Sequence, residues 1–326
     1  MSSEKPIRIY ALGGAGSNIA HFFEQDLDKG IHSMTYVDTS RANLKKFNIP
    51  NEEIYIFKNE HGQELDGAGK KRDEHAPLIQ AQTPDVLNKH APAKFNIVVF
   101  SLSGGSGSVA GPVLVANLLK RGERVICCVV SSFDDETQVK NTAKTFRGLA
   151  MASEGLKVPV ILSYHPNGED RAEDDINDDI REVITQLSVL FSGENDRLDS
   201  TDLNNFLKYD RIIGIEPGLT ELSIHTGYDW TGDDSTPLVS CTLYPEGAPK
   251  LRGISPLYSC DGFMRPDTIL TDTTTFTLNT DKLGSIVAKF ATEEKRYDDL
   301  RAARQSAPKI VRDEDKQGND GSFLVL

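Results

Sequence analysis

The sequence predicts an α/β protein: a doubly wound parallel-sheet domain, a long central helix, a second and smaller α+β domain, and a C-terminal helix with an acidic tail. Three observations carry this. Short apolar strands alternate with helical spacings through the first half, each strand stopping at a Gly or Asp turn, as parallel βαβ units require. Ile176, Ile180, Val183, Ile184, Leu187 and Leu190 form the i, i+4, i+7, i+8 stripe of an amphipathic helix. Beyond residue 210, short strand-like runs are separated by Pro and Gly.

Residues 7–12 (IRIYAL) read as an apolar strand that stops at Gly13-Gly14-Ala15-Gly16. A helix with Ile19, Phe22 and Phe23 on one face follows, then a second strand ending at Val37-Asp38. Residues 45–94 are turn-rich and yield no clear element. Residues 96–102 (NIVVFSL) form a continuous apolar run of buried-strand type. After Ser103-Gly104-Gly105-Ser106-Gly107-Ser108, helical spacing resumes over 113–119, and further buried strands follow at 124–130 and 158–162. The long helix spans 171–191. RIIGI, LVSCTLY, LRGISPL and TTTFTL are expected strands of the second domain. A charged helix over 283–304 carries Ile286, Val287, Phe290, Tyr297 and Leu300, and the tail ends in Phe323-Leu324-Val325-Leu326. The expected divisions are 1–170, 171–209, 210–282 and 283–326.

A chain of 326 residues is about two domains' worth at roughly 150 residues each. Its net charge of -13 argues against a general nucleic-acid or anionic-membrane coat, since phosphate binding needs clustered Lys and Arg. Four cysteines, none in a CxxC pair, give neither a zinc site nor a disulfide framework. No apolar run approaches the ~18 residues of a membrane span. The polar start runs straight into a strand, so no signal peptide is expected, and the expected location is a reducing cytoplasm.

Glycine between a strand and a helix lets backbone N–H groups face an anion at the positive end of the helix. The Gly14-Ala15-Gly16 turn could open a dinucleotide fingerprint, with Asp38 near the position of the ribose-binding acid, although Ile19 replaces its third Gly or Ala. A ligand-free tight turn is the other reading. No Gly-Lys-Ser/Thr occurs, which excludes a P-loop. The second loop, 103–108, changes the balance: two loops on two parallel strands would enclose one phosphate chain from both sides. Asp66-Gly67-Ala68-Gly69-Lys70 has the composition to close over a terminal phosphate, or to be a surface loop.

GGAGSN at 13–18, DGAGK at 66–70 and SGGSGS at 103–108, in this order, resemble the tubulin/FtsZ superfamily of GTPases. Ser106 stands for the Thr of the family's GGGTGSG signature, and Val109 for its final Gly. The resemblance implies GTP/GDP binding by Gly13, Gly14, Ala15, Gly16, Ser17, Asn18 and Asp38, by Gly67, Ala68 and Gly69, and by Gly104, Gly105, Ser106, Gly107 and Ser108. It places Glu136 and Lys140 near the ribose, and Asn167 and Asn177 at the base, where an amide offers both donor and acceptor. Glu173 stands where the family often stacks an aromatic. Mg²⁺ is expected with the phosphates, held by them and by water.

Asp199-Ser200-Thr201-Asp202 sets two carboxylates at i and i+3. On the residues alone Asp199 reads first as a helix N-cap. The resemblance implies instead that Asp199 and Asp202 polarise the attacking water. Asp199 lies 22 residues beyond Asn177, roughly 33 Å if largely helical, so the acids would serve a neighbour's nucleotide and not their own. Head-to-tail stacking that does not close gives a filament.

The compact length and charged C-terminal helix resemble the bacteriophage tubulin-like proteins (PhuZ type), which implies a homopolymer that positions phage DNA or capsid cargo in the host cytoplasm, with no membrane partner. Residues 289–312 carry net +3 and 313–326 net -3, so the tail is expected on the basic helix of a neighbouring subunit. The competing readings are an NAD(P)-dependent Rossmann oxidoreductase, which leaves the second glycine loop unexplained, and a nucleotide-bound scaffold that does not hydrolyse.

Overall fold

The computed structural model describes residues 5–26, 30–65, 67, 69–70, 72–167, 171–193, 195–231, 236–281, 283–306, 310–311 and 324–325. One ten-stranded sheet runs through it. From one edge its strands are β3 (Ile54–Ile56), β2 (His32–Asp38), β1 (Ile7–Leu12), β4 (Phe95–Ser101), β5 (Val125–Ser131), β6 (Val160–Pro166), β7 (Leu219–Thr226), β10 (Thr274–Asn279), β8 (Val239–Tyr244) and β9 (Tyr258–Phe263). Pairing is parallel from β3 through β7. β10 runs antiparallel between β7 and β8, and β9 is parallel to β8. The expected strand–helix alternation is thus present. Its second half continues the same sheet through the Val160↔Leu219 register.

Both faces are covered, which is why the central strands read as unbroken apolar runs. Ile7, Ile9 and Ala11 of β1 enter a core with α1 (Gly13–Asp26) and α5 (Glu173–Phe191). Tyr10 and Leu12 enter the opposite core with α2 (Arg72–Lys89), α3 (Ser106–Lys120), α4 (Glu136–Leu156) and α8 (Leu283–Ser306). Strand order reverses between β1 and β4, and the crevice outside the carboxyl ends at such a switch point is where open α/β sheets bind ligands.

α5 has nineteen residues, hence a length of about 28 Å. Its last residue, Phe191, stacks on Phe95 at the start of β4 with centroids 4.3 Å apart. The helix therefore carries the chain from the carboxyl edge of the strands to the amino edge, where α6 (Ser200–Leu207) and α7 (Asp210–Ile213) follow.

Several expected elements are corrected. RIIGI is helix α7 and not a strand. Gly214 closes it in the left-handed region at φ 67°, donating its N–H to the Asp210 carbonyl at 3.1 Å, and this local cap outweighs the β-branched signal. LRGISPL holds only an isolated bridge at Arg252, because Pro256 has no N–H for a ladder. β8 and β10 match the expected LVSCTLY and TTTFTL, while the half-buried β7 and β9 were not among the expected runs. Residues 45–94 resolve into β3 and α2, the latter hidden by Pro77 and Pro84. Phe22 is 42 % exposed and sits beside the Arg181 guanidinium, 5.4 Å from its ring centroid, and not in the core. On α8, Ile286 and Phe290 are buried while Val287 and Leu300 are exposed. Ile310–Val311 and Leu324–Val325 pair antiparallel.

Candidate nucleotide site

β1 and β4 pair through Leu12↔Phe100, so the loops that follow them are adjacent. They touch backbone to backbone. A Cβ on Gly107 would lie 2.8 Å from the Leu12 carbonyl oxygen, and one on Gly13, at φ +70°, would lie 2.9 Å from the Gly107 nitrogen. Only glycine permits that approach. Between the loops opens a cleft of about 210 Å³. It is lined by Gly13, Gly14, Ala15, Gly104, Gly105, Ser106 and Gly107 on the glycine side, and by Asn167 and Asn177 on the far side. Glu173, one turn before Asn177, also lines it, as do Ser132 and Asp134, from the segment whose sequence resembles the family's sugar-binding loop, and Gln138.

The helix ends around the cleft differ in a way that bears on ligand charge. α3 begins after Gly105 with no side-chain cap, so its first N–H groups await an acceptor. α4 is closed by a capping box in which Asp135 accepts the Gln138 N–H at 2.8 Å. The open α3 terminus at the glycine loops is the place for an anion. Asn167 is held by its N–H donating to the Ser131 carbonyl at 2.8 Å. Its Oδ1 is buried without a partner, and an orphaned acceptor in a cleft fits a ligand donor.

Other expected residues lie outside the lining. Gly16, Ser17 and Asn18 are in the first turns of α1, where Asn18 Oδ1 accepts from Lys46 at 3.1 Å. Asp38 is 1 % exposed, with its carboxylate occupied. Oδ1 accepts from the Thr39 N–H at 2.7 Å and the Ser106 hydroxyl at 2.7 Å, and Oδ2 from Asn43 at 2.9 Å. It ties the second glycine loop to β2 and offers nothing to a ribose, which removes the sequence basis for the oxidoreductase reading. Ser108 turns its hydroxyl to the Gly105 carbonyl at 3.1 Å. Gly67 and Gly69 both have positive φ, and Lys70 beside them pairs with Asp135 at 2.8 Å, fastening this segment to the start of α4. Ala68 lies outside the described residues, as does nearly all of the 313–326 tail.

Glu136 pairs with Arg301 of α8 and with Lys140 at 2.6 Å, and these two cations hold its carboxyl down at about 2. The contact between α4 and α8 should therefore persist from neutral pH down through 4. In Arg301→Ala the Glu136 carboxyl should titrate nearer its ordinary ~4.3, read by NMR on the side-chain carboxyl carbon. An unmoved midpoint would show that Arg301 is not what holds it.

At the far end of α5, Asp199 caps α6, as the residues alone predicted. Its Oδ1 accepts the N–H groups of Thr201 at 2.6 Å and Asp202 at 3.0 Å, while Asp202 Oδ2 accepts the Asp199 N–H at 3.2 Å. The helical line from Asn177 stops at Phe191, so the separation comes from about 21 Å of helix plus a loop.

Sequence reasoning missed the braces behind the loops. Asn141, buried on α4, stands within donor reach of the carbonyls of Lys70, Ser103 and Gly104 at 3.1 to 3.3 Å. Arg72 donates to the Ser108 carbonyl and to Thr145 at 2.6 Å. Such contacts join residues far apart in the chain and leave no local pattern. Next to the cleft on β6, burial pushes His165 down to about 4, with Arg171 assisting and Asp179 opposing. A histidine kept neutral by the fold costs stability as pH falls from 6.5 toward 4, because the unfolded chain takes the proton first. His165→Gln should flatten the fall of Tm in that window; an unchanged pH slope would exclude His165 as its source.

Residues 6–164 match the Tubulin/FtsZ family, GTPase domain. A phage tubulin-like protein of Pseudomonas phage phiKZ is 35% identical over 221 residues, 65% of each chain, so the match spans just under two thirds of that relative. One from Pseudomonas phage PhiPA3 is 26% identical over 330 residues, covering 99% of this chain and 100% of that one. Among solved structures, a protofilament of TubZ from bacteriophage PhiKZ superposes with a TM-score of 0.85 at 26% identity, covering 98% of this chain and 99% of that one. Residues 6–164 thus match the GTPase domain of the Tubulin/FtsZ family, in a chain whose fold is similar to that of a phage TubZ protofilament subunit.

Proposed function

We propose that this protein is a polymerising GTPase that binds GTP between its two glycine loops and hydrolyses it where subunits stack head to tail. One observation carries the reading: the cleft lies at one end of α5 and the Asp199–Asp202 pair follows its other end, so the acids serve the cleft of the next subunit. The N–H groups at Gly13–Ala15 and at the start of α3 hold the phosphates. Asn167 and Asn177 hold the base, with Gly67, Gly69 and Lys70 at the phosphate end, and Glu136 and Lys140 beside the sugar. Asp199 and Asp202 of the adjoining subunit orient and deprotonate the attacking water. Mg²⁺, held by phosphate oxygens and water, would offset phosphate charge. The relative solved as a protofilament supports self-association of this kind.

In the host cell such filaments would position phage DNA or capsids, and the acidic tail, residues 313–326, would dock on a neighbour's α8. Lys289 and Arg296 supply basic groups for that contact, lining an open groove of about 570 Å³ beside Asn167 and Asp134. Sedimentation of a 1–312 truncation tests the tail: polymer yield in GTP equal to that of the full chain overturns it.

Light scattering with GTP, GDP, ATP and NAD, followed by phosphate release, tests the main reading. Scattering specific to GTP, decaying as phosphate appears, is expected. No response to GTP would overturn it.

A further inference from the structure

Cations are distributed unevenly between the two ends of the sheet. Around the cleft they are matched within the fold: Lys70 with Asp135, Lys140 and Arg301 with Glu136, Lys144 with Asp73, Arg171 with Asp179, and Arg181 with Asp178. At the amino edge of β4 and β5 the pattern inverts. Arg124 and Lys94 both lie over the Phe95 ring, at 5.2 and 5.5 Å from its centroid. Lys208, just past α6, donates to the Gly122 carbonyl at 3.1 Å. Arg124, Lys208 and Arg211 converge on a small cavity of about 70 Å³, shared with Glu123. Among the described residues none of these three forms an ion pair, and Arg124 Nε is buried with no hydrogen-bond partner. Burial lowers the Lys208 ammonium below the usual lysine range, and the nearby Arg211 and Arg124 push the same way against Asp210 and Glu123. Ile212 and Ile215 stand exposed alongside, at 46 % and 37 %.

The matching surplus lies at the other end of the molecule. Glu173, Asp174 and Asp175, the first turn of α5, are exposed carboxylates with no ion pair among the described residues. We propose that the Arg124–Lys208–Arg211 cluster seats the acidic first turn of α5 of a second copy of this chain. The inference rests on the head-to-tail reading and adds what grips what. It also sets a register. α6, eight residues and about 12 Å long, joins the basic cluster at its C-terminal end to the acid pair at its N-terminal end. The facing cleft likewise has Glu173 and Asn177 at one side and the glycine loops at the other. A grip on Glu173–Asp175 therefore sets the lateral placement of Asp199 and Asp202 over the neighbour's phosphates. Charges at a subunit rim are screened by salt, so the critical concentration should rise with ionic strength.

The test is a charge swap. Lys208→Glu/Arg211→Glu should raise the critical concentration for GTP assembly at least tenfold, while fluorescent GTP still binds as in the parent. Arg211→Gln, a milder change at an exposed side chain, should raise it about threefold. Adding Asp174→Lys/Asp175→Lys to the Glu pair restores opposite charges across the joint and should recover assembly to within about threefold. If the parent protein makes no polymer in GTP, the head-to-tail reading itself falls. If the parent polymerises and both Arg211→Gln and the Glu pair match it within twofold, or if the swap recovers nothing, the charge seat alone is overturned.

Discussion

Gly107→Ala is expected to weaken GTP binding at least tenfold and to lower Tm by a few degrees. The added Cβ would sit 2.8 Å from the Leu12 carbonyl oxygen, closer than side-chain carbons approach backbone oxygens, and that oxygen belongs to the end of a central strand. Neither partner can swing aside. The loops must part, at an overpacking cost of about 1–3 kcal/mol. The larger effect is expected on the ligand, because the N–H groups proposed to hold phosphate are on those same two loops, and tenfold in affinity is only about 1.4 kcal/mol. Gly104→Ala separates crowding from composition. Its Cβ would meet nothing nearer than Ser101 Cβ at 3.8 Å, so its Tm should not move. Isothermal titration with GTP alongside thermal melts decides it; unchanged affinity in Gly107→Ala would mean the two loops do not form one phosphate cradle.

How far these features were readable depended on how local their causes are. The strands β1, β4, β5 and β6 were legible because burial on both faces leaves uninterrupted apolar runs. α5 was legible because one buried stripe, Ile176 to Leu190, repeats at helical spacing over about four turns. The glycine turns were legible as composition, but the contact that makes Gly13 and Gly107 necessary joins residues ninety-four positions apart. Asp38 shows the limit most clearly. Its distance from the first glycine turn fitted a ribose-binding acid, yet its carboxylate is consumed by Thr39, Asn43 and Ser106. Spacing along the chain could not reveal that Ser106, at the start of α3, arrives beside it. The second half was least legible, since half-buried strands such as β9 do not alternate cleanly and the short α7 imitates a strand. Residues 166–210 hold thirteen Asp/Glu against four Lys/Arg, net -9. Six of the thirteen sit on α5, with Glu173, Asp174 and Asp175 in its first turn where the helix dipole favours them, and Asp199 and Asp202 open α6.

Asp202→Asn should cut GTP hydrolysis in the assembled state by about 10²–10⁴-fold, the range for removing a general base, with polymer still forming in GTP and persisting longer. Asn at position 199 should cost less. The two positions share a capping box, and Asn caps a helix about as well as Asp, so both substitutions keep α6 folded where Ala at 199 would remove the cap. Their chemistry differs. Amides of Asp202 and Thr201 hold the Asp199 carboxyl below its ordinary range, and a carboxylate stabilised in that way is a weak base. Asp202 accepts one amide, through Oδ2 at 3.2 Å, which leaves Oδ1 for water. Under the proposed mechanism Asp199 would then act chiefly by fixing where Asp202 stands. Phosphate release per assembled subunit measures the difference directly. Unaltered release in Asp202→Asn would remove the acid pair from the reaction, whereas equal losses at both positions would mean that the carboxylates share the proton as a pair, and that the cap has been drawn into the chemistry it positions.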